Sequence, residues 1–208
     1  MGDARLITIE GLDGAGKTTL AVALERELNG RGIDVQLLRE PGGVDASERI
    51  RELVKDPRLQ IGARAEALLY AAARAQLVEQ AILPLLAGGT WVLLDRFVDS
   101  SLAYQGAGRE LGADAVREIN RFATGGLTPD RTLVLTLDPA LGKSRSRARA
   151  LAADRLESEG EDFFQRIATA YDELARGEPE RIRTIDASRP AQDVLASALE
   201  ALTDLLAD

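Results

Sequence analysis

The sequence predicts an α/β fold: a parallel sheet between two layers of helices, a three-layer sandwich. Three observations predict it. Short apolar runs alternate with helical segments along all 208 residues, the pattern of a sheet whose crossover helices cover both faces. The first apolar run leads through a glycine-rich loop into a helix. The run TWVLL at 90–94 is continuously apolar, as a strand buried on both faces must be.

Composition sets the outer bounds. The length suits one compact domain with a substantial core. Hydrophobic residues make up 45% and charged residues 29%, so the chain is globular rather than disordered. Aromatics are only 4%, which leaves the core to Leu, Ile, Val and Ala. A formal net charge of -8 argues against binding to nucleic acid or to an anionic membrane. The chain has no cysteine and no histidine, which removes disulfides, thiolate or imidazole metal sites and His-based acid–base catalysis. Met1 is followed almost at once by the first strand, and no apolar run approaches the roughly 20 residues of a membrane span. The expectation is a cytoplasmic protein.

The elements follow in order. Leu6 to Ile9 is a buried strand. Thr19 to Asn29 is a helix stopped by Gly30-Arg31-Gly32. Ile33 to Leu38 is a second strand, ending in the turn Arg39-Glu40-Pro41-Gly42-Gly43. Ala46 to Val54 is a short helix broken by Asp56-Pro57. Ala63 to Ala87 is one long Ala/Leu-rich helix with Pro84 near its end. Thr90 to Leu94 is the third strand, with Asp95-Arg96 at its C-terminal end. Ser100 to Gln105 is helical, and Gly106-Ala107-Gly108 opens a loop. A helix at Ala113 to Ala123, a strand at Thr132 to Leu137, a basic stretch from Leu141 to Ala153 and a helix at Gly160 to Arg176 come next. A last strand, Arg181 to Ile185, and an amphipathic helix, Ala191 to Leu206, complete the chain. There is no internal repeat and no linker.

Between the first strand and the first helix, Gly11-Leu12-Asp13-Gly14-Ala15-Gly16-Lys17-Thr18 matches the phosphate-loop pattern G-x-x-x-x-G-K-[ST] in the context that pattern requires. Its glycines let successive backbone N–H groups turn toward an anion, and the helix start that follows adds partial positive charge. Lys17 suits the β- and γ-phosphates of a nucleoside triphosphate, and the Thr18 hydroxyl suits Mg²⁺. Asp95, ending a buried strand, suits the same ion, with an N-cap of the next helix as the alternative. Arg96 points to a second anion in the same crevice. In such sheets ligands bind at the C-terminal strand ends, where the phosphate loop, Glu40-Pro41 and Asp95-Arg96 all fall.

Tyr70 and Arg74 stand one helical turn apart, as do Ser100 and Tyr104, and Ser101 and Gln105. A ring and a guanidinium on one face suit a planar heterocycle, although spacing alone favours a core aromatic beside a solvated charge. Lys143, Arg145, Arg147, Arg149 and Arg155 form either a solvated basic face mated to Asp154, Glu157 and Glu159 or a lid that brings arginines over a phosphoryl group. Two facing anion sites suggest transfer between phosphates. The acceptor is then already ionised, so charge neutralisation is required and a general base is not.

The segments Glu10 to Thr19, Arg39-Glu40-Pro41-Gly42-Gly43, Ala73-Arg74-Ala75-Gln76, Asp95 to Gly106 and Asp154-Arg155-Leu156-Glu157 together resemble the bacterial thymidylate kinases. They occur in the family's order over nearly the whole chain, and the stretch from Asp95 to Gly106 is the most specific. The resemblance implies a P-loop NTPase fold of one domain, with a five-stranded parallel sheet and a small lid at about 143–158. It also implies a homodimer and the reaction ATP + dTMP → ADP + dTDP with Mg²⁺. ATP would lie on Gly11, Leu12, Asp13, Gly14, Ala15, Gly16, Lys17, Thr18 and Thr19, and Mg²⁺ on Thr18 and Asp95. Tyr70 would stack on thymine. Arg74 would meet its carbonyl edge, with Ser101 and Gln105 completing recognition of the base. Tyr104, beside Ser100, would crowd the ribose 2′ position, and Asp13 would accept from the 3′-hydroxyl. Arg51 and Arg96 would hold the acceptor phosphate, and Glu40-Pro41 would be a cis peptide shaping the pocket. Lys17, Arg96, Arg149 and Arg155 would be catalytic, since Gly14 leaves the loop without an arginine of its own and the lid then supplies it. Two positions depart from the family pattern: Phe97 stands where Tyr or His is frequent, and Ala71 leaves Tyr70 without an aromatic neighbour.

Two other classes compete. One is another kinase of the same fold, acting on a different monophosphate or on a nucleoside, and a nucleoside acceptor would need a base near its hydroxyl. A nucleotide-driven switch would show an Asn-Lys-x-Asp guanine motif, which is missing, or an extra lysine early in the loop, where Leu12-Asp13-Gly14-Ala15 stand.

Overall fold

The computed structural model describes residues 4–147, 155–156 and 159–207. Five strands form one sheet in the order β2-β3-β1-β4-β5, and every pairing is parallel. They are β1 (Leu6–Gly11), β2 (Val35–Arg39), β3 (Trp91–Asp95), β4 (Arg131–Thr136) and β5 (Ile182–Asp186). The sequence expectations are met strand by strand, except that β2 starts at Val35 rather than Ile33. Asp95 is the register partner of both Ile9 and Arg39. The ends of β1, β2 and β3 therefore lie on one edge.

Alternation along β1 assigns the two layers. Ile7 and Ile9 pack with Leu93, Leu133 and Leu135 against α1 (Lys17–Gly30) and α9 (Ala191–Glu200), through Leu20, Leu24, Leu28, Val194 and Ala198. On the opposite face, Leu6, Val92 and Leu94 meet Leu77, Val78 and Ile82. Val134 and Ile182 meet Tyr104 and the Phe163, Ile167 and Tyr171 side of α8 (Glu161–Gly177). Glu10 shares this second face with Leu6 and Thr8 and is wholly buried.

Three helices depart from the regular run expected of them. The helix from 63 is α3 (Ala63–Leu77), a π turn (Val78–Ile82) and α4 (Leu83–Ala87). The N–H of Leu83 reaches back five residues to Val78 O. Pro84 explains it: proline has no N–H to continue the ladder, and its ring crowds the carbonyl four residues back. The short helix α5 (Val98–Ser101) continues into a wide π segment (Leu102–Gly108), which takes in the Gly106-Ala107-Gly108 expected as loop. Arg109 N closes it by donating to Tyr104 O at 2.9 Å. The terminal helix breaks after Glu200 and resumes as α10 (Thr203–Leu206). The remaining helices are α2 (Asp45–Lys55), α6 (Ala113–Thr124) and α7 (Pro139–Arg147).

Gly11 ends β1 at φ 130°, and a Cβ there would lie 2.5 Å from Leu135 O of the neighbouring strand. Gly11→Ala should therefore lower unfolding stability by about 1–3 kcal/mol through strain at this bend, read as a fall in the denaturant midpoint. A variant as stable as the parent would contradict the tight packing of β1 on β4.

Candidate active site

The strand ends, α1, α2, α3 and the α5–π segment enclose a pocket of about 660 Å³. On its floor the phosphate loop wraps the Lys17 ammonium, which donates to Gly11 O (3.1 Å) and Leu12 O (2.9 Å). Burial pulls Lys17 down to about 8, and the nearby Arg96 cation adds to the shift. Thr18 Oγ1 donates to Asp95 Oδ2 at 2.9 Å, so the hydroxyl and carboxylate expected at a metal site do meet. Both are hard oxygen donors, and so small a set suits Mg²⁺, which keeps water and takes phosphate oxygens. Among the described residues no group of three or more acidic side chains gathers to hold a metal alone.

Arg96 faces the loop across the crevice. Its backbone is left-handed (φ 73°), and its N–H is fixed to Ile9 O at 3.0 Å. Nη2 donates to Asp13 Oδ1 (2.7 Å) and Tyr104 Oη (3.1 Å), and Nη1 to Gly11 O (3.1 Å) and Ser100 Oγ (3.0 Å). The guanidinium also lies 4.9 Å from the Tyr104 ring centroid. Burial alone would raise the Asp13 carboxyl, but Arg96 and then Lys17 outweigh it and hold it well below the usual carboxylate range. Arg51 donates to Pro41 O at 2.8 Å, and Glu40-Pro41 is a cis peptide.

Arg74 is not the solvated charge that spacing alone favoured: it is 1% exposed. Its Nε donates to Glu40 Oε2 (2.8 Å), which also pairs with Nη2 (2.7 Å). Nη2 reaches Phe97 O at 2.8 Å, and Nη1 reaches Ser101 Oγ (2.9 Å) and the Asn120 side-chain oxygen. The guanidinium thus has five contacts within the protein, as many as it has N–H groups. Phe97 puts its ring under Arg74, 5.4 Å from centroid to Cζ, where the frequent polar residue would stand. Burial raises Glu40 to about 7 against the pull of Arg74, and its other oxygen, Oε1, is buried without a hydrogen bond. Tyr70 is half-buried and lines the pocket with Arg74, Ser101 and Gln105.

The basic stretch divides. Helix α7 packs on the phosphate loop, and a Cβ at Gly14 would collide with Gly142 O. A side chain at position 14 has no room, which gives a packing reason for a loop with no arginine there. Arg145 donates to Ala187 O at 2.9 Å, and Lys143 lies 4.0 Å from Glu161. Arg155, expected with the catalytic groups, donates to Val54 O (3.0 Å) and pairs with Glu66 (2.6 Å). Arg149, Asp154, Glu157 and the Arg147 side chain lie outside the described residues.

No motif in the sequence singles out Glu10, Lys55, Glu66, Asn120 or Tyr171 for a role. Glu10 Oε1 accepts from Phe97 N (2.8 Å) and Ser100 N (3.2 Å), and Oε2 from Tyr171 Oη (3.0 Å). Burial first, and then the charge of Asp99, raises its pKa. The one available signal was an acidic residue inside an otherwise apolar strand. Lys55 lines the pocket near Asp13.

Residues 9–198 match the protein family described as thymidylate kinase. The chain belongs to the thymidylate kinase family. It is 46% identical over 202 residues to the thymidylate kinase of Halorhodospira halophila, covering 96% of this chain and 94% of that one. Identity to the thymidylate kinase of Deinococcus radiodurans is 46% over 204 residues, 98% of each chain. With the thymidylate kinase of Leifsonia xyli subsp. xyli it is 49% over 190 residues, covering 91% and 90%.

Because Lys17 titrates near 8 and only its ammonium attracts phosphate, affinity for a nucleoside triphosphate should fall as pH rises through that value. Calorimetric titration with ATP and Mg²⁺ across pH checks it. An affinity flat to about pH 10, the ordinary lysine range, would contradict the shift.

Proposed function

We propose that this protein transfers the γ-phosphoryl group of ATP to the phosphate of dTMP, releasing ADP and dTDP. The observation that carries the reading is the pairing, in one pocket, of the phosphate loop around Lys17 with the Arg96 cluster that faces it. One cationic site suits the polyphosphate donor and the other an acceptor phosphate. The acceptor oxygen is ionised before it attacks, so no group has to remove a proton. That accords with a chain that has no histidine.

In this reading the backbone of Gly11 to Thr19 cradles the ATP phosphates, and Lys17 balances charge on the β- and γ-groups. Thr18 and Asp95 would hold Mg²⁺, which when bound neutralises charge on the transferring group. Arg96 and Arg51 hold the dTMP phosphate, Arg96 through Nε or by exchanging one of the four protein contacts of its Nη atoms. Asp13, kept ionised by Arg96 and Lys17, accepts from the sugar 3′-hydroxyl, while Tyr104 and Ser100 close the sugar side. Tyr70 stacks on the base, with Ser101 and Gln105 beside it. A direct bond from Arg74 to a base carbonyl requires Arg74 to exchange one of its internal partners. Arg149 and Arg155 would act from the lid expected at about 143–158 of a single domain, Arg155 by leaving Val54 O and Glu66. The expected homodimer and cytoplasmic location belong to the same proposal. Exposed Leu68, Leu83 and Phe122 on α3, α4 and α6 are in keeping with an assembly. No helix among the described residues is long and apolar enough to cross a membrane.

An ATP-consumption assay across the nucleoside monophosphates tests the reading. dTMP should be the preferred acceptor, and thymidine should turn over little because it brings no ionised oxygen. Preference for thymidine, or ATP hydrolysis independent of any acceptor, would overturn it.

A further inference from the structure

Glu66 sits in the first turn of α3, is wholly buried, and does not line the pocket. Several donors nevertheless converge on its two oxygens. Gln105 Nε2 donates to Oε1 at 2.8 Å. Arg155 Nη2 donates to Oε2 at 2.6 Å, and Arg109 meets both oxygens, with Nη2 at 3.1 Å from Oε2. Arg109 is itself held over the Phe163 ring, 4.9 Å from its centroid, and pairs with Glu159. Buried carboxylates are retained where ion pairs and hydrogen bonds satisfy them, and Glu66 has both.

The consequence lies at Gln105, which does line the pocket. A side-chain amide has one donating and one accepting end, and it can flip. A carboxylate paired with two arginines only accepts. It therefore takes the NH₂ end of Gln105, and Oε1 is the acceptor that Gln105 still has to offer. An acceptor there suits a pyrimidine whose ring N3 carries hydrogen, as in thymine. It opposes cytosine, whose N3 is itself an acceptor, so that two lone pairs would face each other without a proton between them.

We infer that Glu66 is a positioning residue for acceptor choice: it fixes the Gln105 amide with its oxygen toward the base and so selects N3–H pyrimidines over cytosine. This rests on the dTMP reading above. Arg155 and Arg109 serve it by holding the Glu66 carboxylate in place.

The test compares kcat/KM for dTMP and dCMP in the parent and in Glu66→Gln. A glutamine at 66 can donate or accept, so Gln105 is free to turn. The dTMP-to-dCMP ratio should fall at least tenfold, chiefly through KM for dTMP, while KM for ATP stays within twofold. In a Gln105→Ala background the same change at 66 should move the ratio no further. An unchanged ratio in folded Glu66→Gln, or an equal fall with Ala at 105, would overturn the inference. If Glu66→Gln fails to fold, Gln105→Leu decides. A leucine at 105 fills similar space but offers the base no acceptor. The inference requires the ratio to fall, and a retained or increased ratio refutes it. A parent protein that ignores dTMP would instead refute the functional reading, so the two failures are distinct.

Discussion

The contact on which the pocket depends is the 2.7 Å ion pair between Arg96 and Asp13. It joins the end of β3 to the phosphate loop. Arg96 adopts a left-handed backbone, which costs a non-glycine residue about 1–3 kcal/mol. Its surroundings offset that cost. The backbone N–H bonds to Ile9 O, and the side chain bonds to Gly11 O, Ser100, Tyr104 and Asp13. Behind it, Glu10 holds the backbone of Phe97 and Ser100. The turn after β3 is thus over-determined from both sides, and the guanidinium is aimed before any ligand arrives.

A second buried pair, Arg74–Glu40, orders the other half of the pocket. It ties α3 to the turn after β2, and through Phe97 O and Ser101 it reaches α5. Two ion pairs therefore bracket one cavity. The first lies beside the phosphate loop and the second beside Tyr70 and Gln105. The chain is acidic as a whole, at -8, yet the crevice concentrates Lys17, Arg51, Lys55 and Arg96. In a water-poor site such charges act more strongly than on the surface, which is what the approach of two polyanions demands.

Features written locally in the chain were legible in it. The third strand declared itself by a continuous apolar run, and the phosphate loop by glycines at fixed spacing. That Asp95 and Arg96 face the crevice followed from their place at a buried strand's end. Features made by distant partners were not legible. Glu66 reads as an ordinary helical charge, and only the fold brings Gln105, Arg109 and Arg155 to it. Arg74 and Tyr70 announced a shared face but not that one is buried and the other half-open. The π segment after α5 was hidden because glycines at 106 and 108 read as loop, whereas here Gly108 makes room for Phe163. Alternating arginines at 145, 147 and 149 gave no single face, and Arg145 turns to Ala187 O rather than to the crevice.

Arg96 is held ready for an acceptor's phosphate, and affinity for dTMP against thymidine measures how far the pocket depends on it. Calorimetry would compare the parent with Arg96→Lys, which keeps a charge but loses the planar fork. Binding of dTMP should weaken at least about tenfold, near 1.4 kcal/mol, while thymidine binding holds, so that the two affinities converge. An equal loss for both ligands, or a preference for dTMP that survives intact, would contradict it.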